Sequence, residues 1–215
     1  MKRRGVRILC WDSNKDLMRQ RAEYLMRDPK ICHDIDGVAF HWYSGGFYEE
    51  LEKLHHKFPK LALCATECCV VMPEHMDEWS IGERYAHDMI QDFNHGTSLW
   101  LDWNLYLDEK SGPKFVENPC AAPIILDRDR QQAVCMSSYY YIGHLSRYIQ
   151  RGAVRIGTAG NEESNIDVCS FENPDRTYCT VLMNREETKK SVSLCLGEEQ
   201  LTLELLPHSI VTVLI

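Results

Sequence analysis

Several features that would assign this chain to a particular class of protein are missing from its sequence. No apolar run approaches the ~20 residues that cross a bilayer, so we expect no transmembrane segment. The sequence has 24 basic against 32 acidic residues, a net charge of −8, which argues against nucleic acid as a partner. The basic N-terminus, MKRRG, is not followed by the apolar segment of a signal peptide.

The ten cysteines form neither a pair of CxxC motifs nor a short secreted framework. Cys64, Cys68 and Cys69 are close in sequence, but this spacing fits no tetrahedral metal site. His55 and His56 are adjacent, so on a helix they point apart. We therefore expect no metal and no cofactor. The irregular spacing predicts reduced thiols and favours a cytoplasmic location.

Short apolar runs alternate with helical patterns through the first 150 residues. Because these runs are apolar on both faces, they predict parallel strands covered by helices. The four runs are Val6–Trp11, Gly37–Tyr43, Leu61–Thr66 and Thr97–Trp103.

Four helices are predicted from the spacing of apolar residues. In the third, Ser80 and Glu83 have the spacing of a capping box, which predicts that the helix starts at Ser80 and ends at Gly96. The other three are Lys15–Arg27, which stops before Pro29, then Gly46–Lys57 and Tyr139–Ile149.

Helical periodicity disappears after about residue 150, and six short runs rich in β-branched residues follow. In Leu201–Leu205 leucine alternates with polar residues, which predicts an antiparallel sheet with the leucines facing inward and Thr and Glu on one solvated face. The runs therefore predict an all-β module over residues 151–215, after an α/β domain over residues 1–150. Four consecutive βα units are half of an eight-stranded TIM barrel or a small doubly wound sheet. The first turn, Trp11–Asn14, has no glycine-rich phosphate loop, which disfavours a doubly wound redox or nucleotide-binding protein.

Carboxylates and aromatic side chains stand where the predicted strands end. The four strand ends carry Asp12, the run His41–Tyr43, Glu67 and the run Asp102–Asn104. Functional residues of parallel α/β folds lie at these carboxyl ends. Aromatic rings beside carboxylates are typical of carbohydrate binding, because a ring covers the apolar face of a sugar while carboxylates bind its hydroxyl groups.

A series of short motifs resembles the glucosylceramidases of glycoside hydrolase family 30, in order and over essentially the whole chain. They are His41-Trp42-Tyr43, Phe58-Pro59, Ala65-Thr66-Glu67-Cys68, Trp100-Leu101-Asp102-Trp103-Asn104, Gly112-Pro113, Asn118, Ala122-Pro123-Ile124-Ile125, Gly143-His144-Leu145-Ser146, Asn173-Pro174-Asp175 and Ser209-Ile210. The resemblance implies an eight-stranded barrel with an appended β-sandwich and retaining hydrolysis of glucosylceramide or related β-glucosides. It aligns the four strands here with the family's strands five to eight.

The resemblance also implies roles for five residues. Glu67 matches the family's nucleophile, and Tyr43 is expected beside it as a hydrogen-bond donor. Trp103 and Asn118 match positions that line the glucose site, as a stacking ring and a loop amide, and His41 belongs to the same group. Each role has a structural alternative, since a tyrosine or tryptophan at a strand end often only packs and a single histidine is often a core residue.

The sequence departs from the family where nothing corresponds to the first four strands, which carry the acid/base glutamate. We therefore expect a fragment of a retaining glucosidase, from a truncated or split gene, that is inactive alone. The product of a split gene would have a separate N-terminal half-chain as its partner, and a half-barrel that dimerises is the less favoured alternative. Ala121 and Met136-Ser137 also replace family residues, which affects the loop near Asn118. A second hypothesis is a non-catalytic carbohydrate- or glycolipid-binding remnant in which Glu67 is a relic.

Overall fold

The computed structural model describes residues 5–71, 78–159 and 165–215. The chain forms two compact units, one from residues 1–72 with 91–122 and the other from residues 73–90 with 123–215. Its described residues form five helices and thirteen strands, and none of these helices is long and apolar enough to cross a membrane. The predicted domain boundary after residue 150 stays a prediction.

The first unit is built on a sheet of four parallel strands that follow one another in chain order. This order confirms the predicted succession of βα units, because a parallel neighbour needs a crossover connection. The inner strands carry the buried part of the sheet, as their apolar sequences predict: four of the five residues of β2 and three of the six of β3 are buried. The strands are β1 (Leu9–Asn14), β2 (Gly37–His41), β3 (Ala62–Glu67) and β4 (Thr97–Trp100).

The two edge strands are less buried than predicted. Leu9 in β1 and Leu99 in β4 are both exposed, so the prediction of burial on both faces is wrong for these strands. Each has a strand neighbour on one side only in the described sheet, and an edge position removes part of the cover that an inner strand has. A short strand, β5 (Tyr106–Asp108), follows β4.

Helices α1 (Lys15–Leu25) and α3 (Tyr48–Lys57) confirm two predicted helices. A further helix, α2 (Pro29–Asp34), was not predicted, because Pro29 was interpreted as a stop signal. Pro29 instead occupies the first turn of α2, where a missing N–H has no consequence. The side chain of Asp28 caps this helix by accepting a hydrogen bond from the backbone N–H of Lys30 at 2.9 Å.

A buried ion pair joins the first residue of α1 to the last turns of helix α4 (Glu78–Asn94). Lys15 Nζ donates to Asp92 Oδ1 at 2.5 Å, and both side chains have no solvent exposure. The ammonium also lies 4.7 Å from the centre of the Tyr48 ring and 5.3 Å from that of Phe40. The charge of Lys15 is thus surrounded by a carboxylate and two aromatic faces, which offset its loss of water.

Helix α4 starts before the predicted capping residue. It begins at Glu78, so Ser80 lies inside it, and the predicted capping box is wrong. Glu83 uses its carboxylate in a tertiary contact instead, accepting from Nδ1 of His208 at 2.9 Å. The predicted apolar face is confirmed by the burial of Ile81, Tyr85, Met89 and Ile90. Gly96 follows the helix with a φ of 97°, the left-handed backbone that favours glycine.

The second unit contains the predicted β-module. All six predicted strands are present: β8 (Val154–Ile156), β9 (Ile166–Glu172), β10 (Tyr178–Asn184), β11 (Lys190–Leu196), β12 (Glu199–Leu205) and β13 (Ser209–Leu214). Four of them form an antiparallel sheet in the order β13-β10-β9-β8, and β11 and β12 form a hairpin. The predicted inward position of all three leucines in β12 is wrong, since Leu205 is buried but Leu201 is exposed.

Helix α5 (Ser137–Ser146) belongs to this unit and starts two residues before the predicted helix. Its His144 Nδ1 lies 2.9 Å from Thr212 Oγ1 of β13, and its Tyr141 donates to the carbonyl of His208 at 3.1 Å. A hairpin of β6 (Ile124–Asp127) and β7 (Gln132–Cys135) precedes it and was not predicted. These strands have only four residues each, too few to show an alternation.

Candidate active site

The carboxyl ends of three neighbouring strands bring three polar side chains together. Glu67 is the last residue of β3 and pairs in register with His41, the last residue of β2. His41 Nε2 lies 3.7 Å from Glu67 Oε2 and 3.2 Å from Asp12 Oδ1, near the end of β1. The Glu67 side chain is 27% exposed, so it remains open to a ligand while the strand fixes its backbone.

Asp12 is held in place by an irregular backbone. Trp11 and Asp12 have φ angles of 79° and 55°, a left-handed region that non-glycine residues seldom adopt. The register between β1 and β2 shifts at this point, so Asp12 forms a bulge. Thr66 Oγ1 donates to Asp12 Oδ1 at 2.8 Å. Asp12 is therefore an acceptor for two neighbours and orients His41, a role that we had not assigned from the sequence.

Tyr43 follows β2 by two residues and lies beside the same carboxylate. Its hydroxyl donates to Cys69 Sγ at 3.5 Å. Burial raises the pKa of Tyr43 far above its ordinary value, and hydrogen bonding to Cys69 and the charge and hydrogen bonding of Glu67 add to this. The His41 and Tyr43 rings meet edge to face with centres 6.1 Å apart. Tyr43 is thus a phenol that stays protonated and can donate to a developing or existing negative charge.

Trp42 has a different role from its two neighbours. Its ring is almost completely buried, and its Nε1–H donates to the carbonyl of Cys69 at 3.0 Å. It packs edge to face against Trp100, with ring centres 5.9 Å apart. Because Trp42 lies between His41, the last residue of β2, and Tyr43 in the turn that follows, this anchor restrains the backbone that carries both side chains.

Trp103 and Asn118 lie one step further from Glu67 in the network of contacts. The backbone N–H of Trp103 donates to the carbonyl of Cys68 at 2.9 Å, and the ring is 55% exposed. Asn118 is half-buried in a tight turn, where its carbonyl accepts from the N–H of Cys120 at 2.8 Å. The structure therefore brings His41 and Tyr43 directly to Glu67, while Trp103 and Asn118 stand on the segments that follow.

Two thiols underlie this group of residues. Cys69 is buried, and its Sγ lies 3.4 Å from Sγ of Cys120. Burial raises the pKa of Cys69 to about 12, so it is a neutral thiol. In the described parts of the chain, no three His, Cys, Asp or Glu side chains converge as metal ligands. The region therefore presents a partly exposed carboxylate and a phenol beside two neighbouring thiols, of which the buried Cys69 is neutral.

This geometry suits nucleophilic or electrostatic chemistry by Glu67. A carboxylate at a rigid strand end with a phenol donor beside it can stabilise or attack a cationic carbon. Asp12 accepts a hydrogen bond from Thr66 through the oxygen that faces His41. The same Asp12 oxygen thus contacts both Thr66 and His41 at the edge of the site.

Comparison with known proteins gives two family matches. A sequence model of the glycosyl hydrolase family 30 TIM-barrel domain matches residues 1–149, and one of the family's β-sandwich domain matches residues 152–213. The chain is 28% identical over 204 residues to the lysosomal acid glucosylceramidase of Mus musculus, covering 91% of this chain and 39% of that protein.

Solved structures are similar over nearly the whole chain. SrfJ from Salmonella typhimurium matches with a TM-score of 0.94 and 31% identity, over 98% of this chain and 47% of that one. An endo-β1,6-glucanase matches with a TM-score of 0.82 and 27% identity, over 96% of this chain and 48% of that one. This chain thus spans less than half the length of each of these relatives.

These matches confirm the predicted architecture, in which part of a TIM barrel is followed by a β-sandwich. The parallel strands β1–β4 fall within the barrel match, and β8–β13 fall within the sandwich match. The family model of the barrel alone covers more than half of the sequence. The chain belongs to glycosyl hydrolase family 30.

Proposed function

We propose that this chain is the nucleophile-bearing part of a retaining β-glucosidase that hydrolyses glucosylceramide or a related β-glucoside. The observation that carries the proposal is the position of Glu67 at the end of β3, with Tyr43 and His41 against its carboxylate. The name of the mouse relative, a glucosylceramidase, supports the substrate class. Family membership supports a glycoside hydrolase.

In the proposed reaction, Glu67 attacks the anomeric carbon of the glucoside and forms a covalent glycosyl–enzyme bond as the leaving oxygen departs. A water molecule then breaks that bond, so the configuration is retained after two inversions. The Tyr43 hydroxyl stabilises the charge that leaves and returns to Glu67. The exposed Trp103 ring stacks on the sugar, and the Asn118 amide binds its hydroxyl groups.

A retaining glycosidase needs a second carboxyl group about 5–5.5 Å from the nucleophile to protonate the leaving oxygen. Asp12 is the carboxylate that shares His41 with Glu67, but the resemblance to the family assigns the acid/base to a glutamate at the end of the fourth barrel strand, and no motif of this sequence matches that strand. We therefore assign the acid/base to the first half of the family's barrel and propose that the 215 residues alone do not hydrolyse natural glucosides. Positioned acid catalysis contributes about 10²–10⁴-fold.

The experiment combines the purified chain with the N-terminal half of a family 30 glucosylceramidase as a second polypeptide. The mixture is treated with a 2-deoxy-2-fluoroglucoside that carries a good leaving group, and the labelled peptide is mapped by mass spectrometry. We expect the label on Glu67, its loss in Glu67→Gln, and full labelling in Glu52→Gln, a matched change on the exposed face of α3. A label on another carboxylate would overturn the assignment.

The chain without its complement is assayed with a natural β-glucoside and with an activated aryl glucoside. We expect turnover of the aryl glucoside at trace level only, because that leaving group needs no proton. Rapid hydrolysis of the natural glucoside would contradict the missing acid/base. A complemented mixture that binds glucosides but neither hydrolyses them nor labels Glu67 would favour the non-catalytic binding function.

A further inference from the structure

Cys69 and Cys120 are held in contact by the backbone segments that carry them. Cys69 follows Glu67 by two residues, and Cys120 forms an antiparallel bridge with Val71. A hydrogen bond of 2.8 Å from the N–H of Ala121 to the carbonyl of Val70 extends this pairing. The resulting Sγ–Sγ distance is 3.4 Å. The two thiols are therefore neighbours because the chain is folded, although 51 positions separate them in sequence.

We propose that Cys69 and Cys120 form a reversible oxidation site, in which hydrogen peroxide converts the thiol pair to a disulfide. A disulfide bond is about 2.05 Å long, so the sulfur atoms need to approach by about 1.4 Å. A small rotation of the two side chains provides most of such a movement. This modification is independent of the proposed glucosidase function.

The two thiols differ in exposure, which sets the order of the chemistry. Cys69 is only 5% exposed, whereas Cys120 is half-buried and more open to solvent. Burial, above all, raises the pKa of the Cys69 thiol, so Cys69 reacts slowly with a dissolved oxidant. Cys120 is therefore the sulfur that the peroxide oxidises first, and Cys69 is the resolving thiol.

The balance of the reaction follows from this order. The Cys120 sulfur attacks one peroxide oxygen, the O–O bond breaks, and a sulfenic acid and one water form. The Cys69 sulfur then attacks the Cys120 sulfur, the S–O bond breaks, and a second water leaves with the Cys69 proton. The two thiols lose two electrons and two protons in total, and one peroxide is reduced to two waters.

Oxidation at this site would alter contacts on both sides of the pair. The Cys69 sulfur accepts the hydrogen bond of the Tyr43 hydroxyl, and the Cys120 N–H donates to the carbonyl of Asn118. Drawing the sulfurs together changes the first contact and restrains the turn at Asn118. If the proposed function holds, the disulfide thus affects two groups of the candidate site, the Tyr43 hydroxyl beside Glu67 and the Asn118 amide.

The test is a peptide map of the full 215-residue chain after mild oxidation. Reduced protein is treated with one to a few equivalents of peroxide, its remaining thiols are alkylated, and it is digested with trypsin without reduction. Trypsin cuts after Lys60, Arg84, Lys114 and Arg128, so Cys69 and Cys120 fall in separate peptides, 61–84 and 115–128. Fragmentation of the linked pair then distinguishes Cys69 from Cys64 and Cys68 in the same peptide.

We expect a linked peptide two hydrogens lighter than its parts, with Cys69 as the linked residue, which disappears on adding dithiothreitol. Cys120→Ser removes the link, and Cys135→Ser, a matched change at an exposed thiol, preserves it. Protein unfolded in guanidinium before oxidation has to give a mixture of linkages. In the native disulfide form, amide hydrogen exchange slows around Asn118.

The proposal is overturned if native Cys69 and Cys120 remain separately alkylated at peroxide levels that oxidise the exposed thiols. Equal linkage of these two residues in the unfolded chain would overturn it as well. Cys120 found as a sulfinic acid, with Cys69 still free, would show that the buried thiol does not resolve the intermediate. None of these outcomes depends on hydrolysis of a glucoside, so each is distinct from failure of the proposed function.

Discussion

His41 Nε2 lies 3.7 Å from Glu67 Oε2, at the ends of two neighbouring parallel strands. The same nitrogen lies closer to Asp12, at 3.2 Å, within hydrogen-bond range. The one Nε2–H of His41 therefore donates to Asp12. His41 lies beside Glu67 without donating a hydrogen bond to it. The Tyr43 hydroxyl donates to Cys69 and also lies close enough to Glu67 for that carboxylate to raise its pKa. It can therefore turn from Cys69 towards Glu67 during a reaction, which gives Tyr43 the larger expected effect.

Tyr43→Phe in the complemented enzyme removes this donor while keeping the ring. We expect kcat to fall by about 10²-fold, the loss typical of one donor to developing charge, with a smaller change in KM. Steady-state kinetics with an aryl glucoside measures both constants. Tyr24→Phe, at an exposed position of α1, is the matched control and leaves kcat unchanged. Equal kinetics of the two variants would reduce Tyr43 to a packing residue.

Trp103→Ala removes an exposed ring from the segment after β4. We expect glucoside processing to weaken by about 1 kcal/mol or more in kcat/KM, because ring stacking on the sugar is lost. Trp103→Phe keeps an aromatic face and recovers part of the loss. If alanine and phenylalanine variants behave as the parent does, stacking by this ring is excluded.

Lys15→Met leaves the Asp92 carboxylate buried without its cation. Breaking a buried ion pair at one partner destabilises by about 3–5 kcal/mol, so we expect a large fall in the midpoint of denaturant unfolding. The double variant Lys15→Met/Asp92→Leu removes both charges and recovers most of the stability. Lys53→Met, which removes an ammonium from the exposed face of α3, is the control and changes the unfolding midpoint little. A double variant no more stable than the single would show that packing, not charge, dominates.

His208 makes stability in the second unit depend on pH. Hydrogen bonding to Glu83, and to a smaller extent to Glu187, raises the pKa of His208 above its ordinary value. Because its pKa is raised in the folded state, His208 contributes fully to the free energy of unfolding below its unfolded pKa of about 6.5. That contribution is lost as pH rises through the folded pKa. Thermal unfolding of the parent and of His208→Gln checks this.

We expect the parent to exceed His208→Gln in Tm at pH 5.5 and the difference to shrink towards pH 8.5. His144 works in the opposite direction, because burial lowers its pKa in the folded state. Its contribution to stability is present above the unfolded value of about 6.5 and is lost as pH falls through the lower folded value. It is present in both proteins and cancels in the comparison. A Tm difference that grows with pH would contradict the sign argued for His208.

The strands of the parallel sheet could be predicted because their apolar composition is enough to identify them. An all-apolar run such as β2 has few alternatives to burial between neighbours, and the structure buries it. Edge exposure of Leu9 and Leu99 was not predictable, since strand order is a tertiary property. The capping box predicted at Ser80 was wrong for a similar reason. It depends on local spacing alone, whereas the Glu83 carboxylate contacts His208, 125 residues away.

The sequence was enough to predict which residues lie at the strand ends of the candidate site. It was not enough to predict the contacts between their side chains. The rule that function gathers at carboxyl ends selected Glu67 and His41 and also noted Asp12. It carried no information on the left-handed turn that aims Asp12 at His41. The contact of Cys69 with Cys120 was equally hidden, because two loops had to be folded before the sulfurs met.

The bulge within β1 sets folding stability against the positioning of His41 at one residue, Asp12. Trp11 and Asp12 both occupy left-handed backbone, at a cost of the order of 1–3 kcal/mol each for non-glycine residues. Glycine at residue 12 would relieve that strain and would delete the carboxylate that orients His41. An Asp12→Gly variant is therefore expected to fold more stably than the parent while it loses the contact that positions His41.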